Sequence, residues 1–189
     1  MPRIQPLGHS LMTLEEEQAH VVAAQADPQQ FTPLYAYYFT LIFRFIHRRI
    51  GSRELTADLT QQTFLKALLA LPHYSSRGLP FRAWLYRIAL NEMRMHWRKK
   101  KEVVMDLSFA EVHGLRTEIG LDEADDDLRR LAIALTRLPP EKARLIELRY
   151  VDDLSFAEIG AVLGIAEDAA KMRTHRALAL VRGYIGPRT

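Results

Sequence analysis

Residues 154–178 read LSFAEIGAVLGIAEDAAKMRTHRAL, and this stretch contains two helical segments separated by a short turn. Ser155 and Glu158 have the spacing of a capping box and predict the start of a short helix, which Gly164 ends. A second helix is predicted from about Glu167. This arrangement is the helix-turn-helix layout, in which the second helix enters the major groove of DNA.

The second helix of this motif has an apolar side and a basic side. The residues expected to face the core are Ala170, Thr174, Ala177, Leu178 and Val181. The residues expected to face outward are Lys171, Met172, His175 and Arg176. Because many helical hairpins share this pattern, DNA binding and an ordinary hairpin both stay open at this point.

Charge is unevenly distributed along the 189 residues, although the formal net charge is only +3. Residues 80–101 contain seven basic residues and one acidic residue, whereas residues 102–127 contain one basic and nine acidic residues. An acidic run between basic segments is typical of a solvated linker, and a polyanion mimic is the alternative interpretation. We therefore expect an N-terminal extension (1–12), a first domain (13–101), a linker (102–127) and a second domain (128–189).

Helical spacing without sustained period-two alternation predicts an all-α fold, in which two small helical domains are joined by the acidic linker. In the first domain, Thr13 and Glu16 have the spacing of another capping box. Pro33 follows a capping threonine at the start of the next helix, the third helix covers about residues 54–71, and Pro80 opens the fourth.

The third helix of the first domain carries a polar patch. Asp58, Gln61 and Gln62 fall at i, i+3 and i+4 and therefore share one face, whereas Leu59 and Phe64 are among the apolar positions. By itself, such a patch is typical of ordinary solvent-facing surface.

The fourth helix carries a basic stripe. Arg87, Asn91, Arg94 and Arg98 recur at i, i+4, i+7 and i+11, so they lie along one side of the helix. Three guanidinium groups and an amide on one face suit a phosphate backbone and base edges. A face that only increases solubility is the alternative. The side chains expected to face inward are Phe81, Trp84, Leu85 and Ile88.

Several classes of site lack the residues that they need. The chain has no Cys, which excludes disulfides, thiolate zinc sites and a cysteine nucleophile. Its seven His include no pair at i, i+3 or i+4, and neither a phosphate-binding Gly-rich loop nor a Gly-x-Ser-x-Gly elbow is present. We therefore expect no enzyme activity, no metal site and no cofactor.

The most apolar stretch, residues 34–46, is too short to span a bilayer and contains Arg44. The first twelve residues lack the charged start and long apolar segment of a secretory signal. We therefore expect a cytoplasmic protein without membrane insertion.

Together these segments resemble the extracytoplasmic-function (ECF) branch of bacterial sigma factors, over about residues 15–185. In the first domain, DLTQQTFLKA (58–67) resembles the family's Asp-Leu-x-Gln-Glu-Thr-Phe segment, and FRAWLYRIALN (81–91) resembles its promoter-reading helix. The segments that resemble the family's fourth region are LPPE (138–141), ELRY (147–150), LSFAEI (154–159) and KMRTHRAL (171–178). Motifs in this order and at these separations are specific to the family.

The resemblance implies a dissociable subunit of bacterial RNA polymerase that directs transcription initiation to particular promoters and leaves the chemistry to the polymerase. It implies that the first domain binds the clamp coiled coil of the largest core subunit and that the second domain meets the flap of the second-largest subunit. The residues implied in core-polymerase binding are Asp58, Leu59, Gln61, Gln62 and Phe64.

The resemblance also implies two contacts with promoter DNA, with Tyr74 as a stacking partner for an unpaired base. The residues implied in recognising and melting the −10 element are His73, Tyr74, Arg77, Arg87, Asn91, Arg94 and Arg98. The residues implied in reading the −35 element are Lys171, Met172, Arg173, His175 and Arg176. In the family, the linker threads toward the RNA exit channel and an anti-sigma factor commonly holds the protein inactive.

The second helix of the motif departs from the family pattern at residues that bear on which upstream promoter sequence is read and how strongly, but not on the helix-turn-helix layout. The departures are Ala166 at the N-cap, Ala170, Met172 and Thr174. The alternative function is a helix-turn-helix regulator that binds an operator and does not bind core polymerase. That alternative leaves the first domain without an explanation.

Overall fold

The computed structural model describes residues 12–100, 115, 118–119 and 125–186. The side chains of residues 98–100 and 125–128 are outside this description.

The chain divides into two compact units. The first unit comprises Met1–His47 and Ser52–Glu102, and the second unit comprises Arg48–Gly51 and Val103–Thr189.

Helices form the secondary structure of the described residues, among which there is no strand. The helices in the first half of the chain are α1 (Leu14–Ala26), α2 (Thr32–Ile50), α3 (Arg53–Ala70) and α4 (Phe81–Lys100). Those in the second half are α5 (Asp125–Thr136), α6 (Pro140–Ile146), α7 (Phe156–Leu163) and α8 (Glu167–Ile185). The predicted all-α fold is confirmed.

Both predicted capping boxes are present. Thr13 accepts a hydrogen bond from the backbone N–H of Glu16, and the Glu16 carboxylate accepts one from the backbone N–H of Thr13. Hydrogen bonding from Thr13 to the Glu16 carboxylate, first from the backbone N–H and then from the side chain, lowers the pKa of this carboxyl group. Ser155 and Glu158 make the same pair of bonds at the start of α7. Each box satisfies backbone donors that the first turn of a helix would otherwise leave unpaired.

The core of the first unit is built mainly from α2 and α4. Its fully buried side chains include Leu34, Ile42, Phe45, Phe81, Leu85, Tyr86, Leu90 and Met93. The rings of Phe45 and Tyr86 lie 4.3 Å apart between centroids. Trp84 and Ile88, which were expected to face inward, are only partly buried. Trp84 is therefore available to pack against the loop that precedes α4.

Threonine makes up half of the buried residues of α3. Thr56, Thr60 and Thr63 are fully buried, and each hydroxyl donates to the carbonyl oxygen four residues earlier at 2.6–2.7 Å. The polar groups are thus satisfied within the helix, so a threonine face can pack against the core without an unpaired hydroxyl. The large apolar side chains of Leu65 and Leu69 remain on the opposite face, 57% and 70% exposed.

Residues of the expected linker contribute to the core of the second unit. Leu115 is fully buried in a cluster that also contains Leu131, Leu135 and Val181, and Ile119 packs against it. Helix α5 begins at Asp125, three residues before the predicted boundary. The expectation of a wholly solvated linker is therefore corrected at Leu115, because an apolar side chain here is removed from water. The remaining linker residues before Asp125, apart from Glu118, lie outside the described residues.

The helix-turn-helix has a tight turn. Helix α7 ends at Gly164, whose φ of +71° is in the left-handed region that favours glycine. Gly160, within α7, lies directly against the backbone after this turn. A Cβ atom built on Gly160 would stand 2.7 Å from the carbonyl oxygen of Ile165. The close approach of the two helices therefore requires a residue without a side chain at position 160.

We predict that Gly160→Ala destabilises the second unit by about 1–3 kcal/mol, because the added methyl group forces backbone apart. Gly183→Ala is the matched control, since a Cβ at this position in α8 meets nothing within 4 Å. The control should stabilise the helix by about 0.5–1 kcal/mol. Hydrogen–deuterium exchange of α7 and α8 in the full-length chain measures both changes. Equal protection in the two variants would contradict the prediction.

Candidate nucleic-acid and protein interfaces

All residues of α8 that are predicted to read the −35 element lie on its exposed face. Lys171, Met172, Arg173, His175 and Arg176 are all exposed. The residues predicted to face the core are all buried, namely Ala170, Thr174, Ala177, Leu178 and Val181. The predicted packing of this helix is therefore confirmed. Two guanidinium groups, an ammonium group and an imidazole share an exposed helix surface, which suits contact with a polyanion.

Two unusual residues of α8 have a clear structural setting. Ala166 is the N-cap, and its side chain offers no acceptor to the first turn. The Thr174 hydroxyl is buried and donates to the carbonyl oxygen of Ala170 at 2.8 Å. A hydroxyl is therefore tolerated in this core because the helix backbone accepts its hydrogen bond.

Two residues outside α8 lie beside its exposed face. No sequence pattern indicates this packing. The ring of Phe156 lies 5.9 Å from the His175 ring between centroids, and the guanidinium carbon of Arg149 lies 5.0 Å from the Phe156 centroid. Arg149 also donates to the carbonyl oxygen of Leu154 at 2.9 Å. It belongs to a π-helical turn, Glu147–Val151, that directly follows α6. Arg149 therefore adds a cation beside this surface.

The basic stripe of α4 is also accessible along its described part. Arg87 and Asn91 are exposed, and Arg94 is half-buried with its Nη1 atom 3.5 Å from Asn91 Oδ1. On another side of the same helix, the Glu92 carboxylate pairs with Lys66 of α3 at 2.6 Å. The side chain of Arg98 lies outside the described residues. Three of the four predicted side chains thus stand along one side of α4.

The loop before α4 carries the other three residues of the predicted −10 set. His73 and Arg77 are exposed, and Tyr74 is half-buried. The Tyr74 ring packs on Trp84 with 4.5 Å between centroids and stands nearly perpendicular to Phe81 at 5.1 Å. Burial, followed by the nearby Glu17 carboxylate, raises the pKa of Tyr74 to about 12. The hydroxyl group is therefore neutral at physiological pH.

The outer face of α3 differs from the predicted set. Asp58, Gln61 and Gln62 are exposed together, as their spacing predicts. Leu59 and Phe64 are each only 3% exposed. Their inclusion in a contact surface is corrected, because both side chains are removed from the surface by core packing, and Phe64 packs edge-on against Phe31 and Tyr35.

Leu65 and Leu69 replace them on the exposed face of α3. They lie seven and eleven residues after Asp58, so they continue the row of Asp58, Gln61 and Gln62 along the helix. The spacing is present in the sequence, but leucine is usually a core residue, so the sequence alone does not indicate that these two leucines are exposed. We call these five exposed residues, Asp58, Gln61, Gln62, Leu65 and Leu69, the α3 face.

Two kinds of feature are not found in the part of the chain that the structure describes. It contains no group of three or more His, Asp or Glu side chains placed to hold a metal ion. None of its helices is long and apolar enough to cross a membrane.

Comparisons with known proteins assign both halves of the chain to one class. The family model described as Sigma-70 region 2 matches residues 34–103, and the one described as Sigma-70, region 4 matches residues 128–181. These two regions, in this order on one chain, define a protein of the sigma-70 class.

Similar proteins narrow the class further. The ECF RNA polymerase sigma factor BldN of Streptomyces coelicolor is 32% identical over 161 residues, which cover 82% of this chain and 60% of BldN. The RNA polymerase sigma factor CarQ of Myxococcus xanthus is 33% identical over 157 residues, which cover 82% of this chain and 89% of CarQ. The chain belongs to the ECF family of RNA polymerase sigma factors.

Two solved structures match the fold of this chain. The structure of CnrH in complex with the cytosolic domain of CnrY matches with a TM-score of 0.60 and 26% identity, covering 88% of this chain and 95% of CnrH. The sigma factor RpoE of Bartonella quintana, solved in complex with the anti-sigma factor NepR, matches with a TM-score of 0.55 and 20% identity. That match covers 82% of this chain and 96% of RpoE, and it supports the fold.

Proposed function

We propose that three exposed surfaces of this sigma factor have separate roles in promoter-specific transcription initiation. The α3 face binds core RNA polymerase, the α4 stripe with its preceding loop recognises and melts the −10 element, and α8 reads the −35 element. The observation that carries the proposal is that charged and amide side chains of the family segments are exposed on three separate helices, α3, α4 and α8. Catalysis of RNA synthesis is left to the polymerase.

The α3 face has the composition of a protein-binding surface. Leu65 and Leu69 provide exposed apolar area, and Asp58, Gln61 and Gln62 provide a charge and two amides beside it. Stable interfaces commonly combine buried apolar anchors with a polar rim. We therefore assign this face to the clamp coiled coil of the largest core subunit.

The α4 stripe and its preceding loop have the features that DNA melting needs. Taking a base out of the stack costs about a few kcal/mol, which a protein recovers through a pocket, stacking and a cationic track. Arg87 and Arg94 supply cations along α4, and Arg77 supplies another in the loop. One side of the Tyr74 ring is packed on Trp84, so the two rings together form the base-stacking platform.

Helix α8 presents base-reading and phosphate-binding groups in the geometry of a helix-turn-helix. We assign its exposed residues to the −35 element and place the flap of the second-largest core subunit as a further partner of the second unit. Two tethered modules of modest affinity raise each other's effective concentration on one promoter, so neither has to bind tightly alone.

An anti-sigma factor is a further proposed partner. RpoE, which shares the fold, was solved in complex with the anti-sigma factor NepR. We also expect the chain to act in the cytoplasm, where bacterial polymerase and chromosome are located. The alternative of an operator-binding regulator accounts for the second unit alone, whereas the Sigma-70 region 2 match over residues 34–103 supports the sigma-factor function.

We predict that the chain co-elutes with core RNA polymerase that lacks a sigma subunit, and that Asp58→Arg weakens this binding at least about tenfold. The reversed charge lies at the N-terminal end of the α3 face, where it meets the partner surface. Glu15→Arg, on the exposed side of α1, is the control with the same change of charge. Failure of the folded wild-type chain to co-elute would favour the operator-binding regulator, and equal binding of both variants would remove the α3 face from the proposal.

We predict that Arg87→Glu combined with Arg94→Glu abolishes promoter opening and leaves core-polymerase binding intact, because both side chains lie on α4, whereas the α3 face lies on a different helix. Permanganate reactivity of unpaired thymines in the −10 region measures opening. Arg44→Glu combined with Arg53→Glu is the control, since both arginines are exposed and the net charge changes equally. Loss of polymerase binding together with opening would count against separate surfaces.

We predict that Lys171→Ala and Arg176→Ala each weaken binding to a duplex with the native −35 element by about 1–3 kcal/mol, if each removes a base contact. Arg137→Ala, at an exposed position just after α5, is the control and should have little effect. Fluorescence anisotropy at fixed salt measures the affinities, because phosphate contacts make them salt-dependent. Unchanged affinity for both α8 variants would exclude this helix as the reader.

A further inference from the structure

We propose that Gln25 of α1 is a positioning residue for promoter melting, because its side chain holds the loop that carries Tyr74 and Arg77. The inference rests on the proposed function of this loop and adds a residue that lies outside the predicted DNA-binding set. Gln25 acts on DNA only through the loop backbone.

The contact consists of two hydrogen bonds from one amide group. The Nε2 atom of Gln25 donates to the carbonyl oxygens of Leu71 and Tyr74, at 2.9 Å in each case. These carbonyls lie at the two ends of the 3₁₀ turn Leu71–His73, where the chain leaves α3 and enters the loop. The donor is 46 and 49 residues away in sequence, so only the tertiary fold brings it to this turn.

The same helix also holds the far end of the loop. Glu17 lies two turns before Gln25 on α1, and its Oε1 atom accepts the backbone N–H of Phe81 at 2.7 Å. The other carboxylate oxygen accepts the hydroxyl of Tyr38, and the Glu17 side chain is buried. Glu17 therefore caps the N-terminus of α4, where a negative charge is favourable. With Gln25 at one end and Glu17 at the other, α1 sets the span of the loop.

Between these two points the loop has a defined turn. Leu79 donates its backbone N–H to the carbonyl oxygen of Ser76 at 2.9 Å. Arg77 and Gly78, the central residues, have φ values of 48° and 76°. Positive φ at both central positions is the signature of a type I′ turn. Arg77 is exposed at the tip of this turn, where its side chain can reach a phosphate group.

Holding the loop in advance matters because ordering backbone is costly. Each backbone residue that becomes fixed in one conformation loses conformational entropy. A loop already ordered by α1 does not have to meet that cost when it takes up an unpaired base. Gln25 thus contributes to melting by preorganisation, although it contacts only protein.

The test replaces Gln25 with Met, which has a similar length and no N–H donor. Gln18→Met is the matched control, because Gln18 is an exposed residue of the same helix. Each variant is assembled with core polymerase. Its affinity is measured for a single-stranded oligonucleotide carrying the −10 element and, separately, for a duplex carrying only the −35 element.

We expect Gln25→Met to weaken single-strand binding by about five- to tenfold, from the loss of two hydrogen bonds. Its duplex binding should stay within about twofold of the wild type, as should both affinities of the control.

Hydrogen–deuterium exchange supplies a readout that a general loss of stability would not reproduce. Exchange should rise in residues 71–80 of Gln25→Met while α4 stays protected. If Gln25→Met does not fold, Gln25→Asn supplies the same comparison, since it keeps the amide and withdraws it by one methylene group.

The outcomes separate this inference from the function on which it rests. Normal single-strand binding by Gln25→Met, or by Gln25→Asn where that variant is used, would overturn the role of Gln25 and leave the loop's function intact. A wild-type holoenzyme that binds the −10 oligonucleotide no better than a scrambled one would overturn both.

Discussion

The buried carboxylate of Glu17 is the contact on which the geometry of the first unit depends. It accepts the Phe81 backbone N–H and the Tyr38 hydroxyl, and so joins α1, α2 and α4 at one point. Burial and this carboxylate raise the pKa of the Tyr38 hydroxyl, which therefore stays protonated and keeps donating. The bond to Phe81 marks where α4, the helix with the basic stripe, begins. An unpaired carboxylate here would be costly to bury.

Packing on the inner side of α3 explains which side chains are exposed on its outer side. Threonine hydroxyls that bond to their own helix can be buried without other partners, so this helix contacts the core through Thr56, Thr60 and Thr63 together with Leu59 and Phe64. Leucines that would normally fill a core are then left on the surface. The threonines on the inner face of α3 and the leucines on its outer face thus belong to the same arrangement. The exposed leucines give the outer face apolar area for a partner.

The second unit uses small residues to bring its helices close together. Gly160 allows the chain after α7 to pass against the helix, and Ala170 and Ala177 are fully buried on the inner side of α8. Close packing of small residues leaves the long side chains of α8 on the outer surface, where Lys171 and Arg176 lie. Phe156 and Arg149 then pack beside His175 from neighbouring segments. The surface assigned to DNA is therefore assembled from three parts of the chain.

Local sequence patterns were sufficient to predict the helices, the two capping boxes and the inward and outward sides of α8. These features depend on residues within about one or two turns of each other. The resemblance of short motifs to a known family was sufficient to predict the class of protein. Tertiary structure alone decided that Leu59 and Phe64 are buried, that Leu115 joins a core, and that Gln25 reaches the loop before α4. The physical reason is that burial and long-range hydrogen bonds depend on which elements pack together, and residues 46 apart in sequence carry no local sign of their contact.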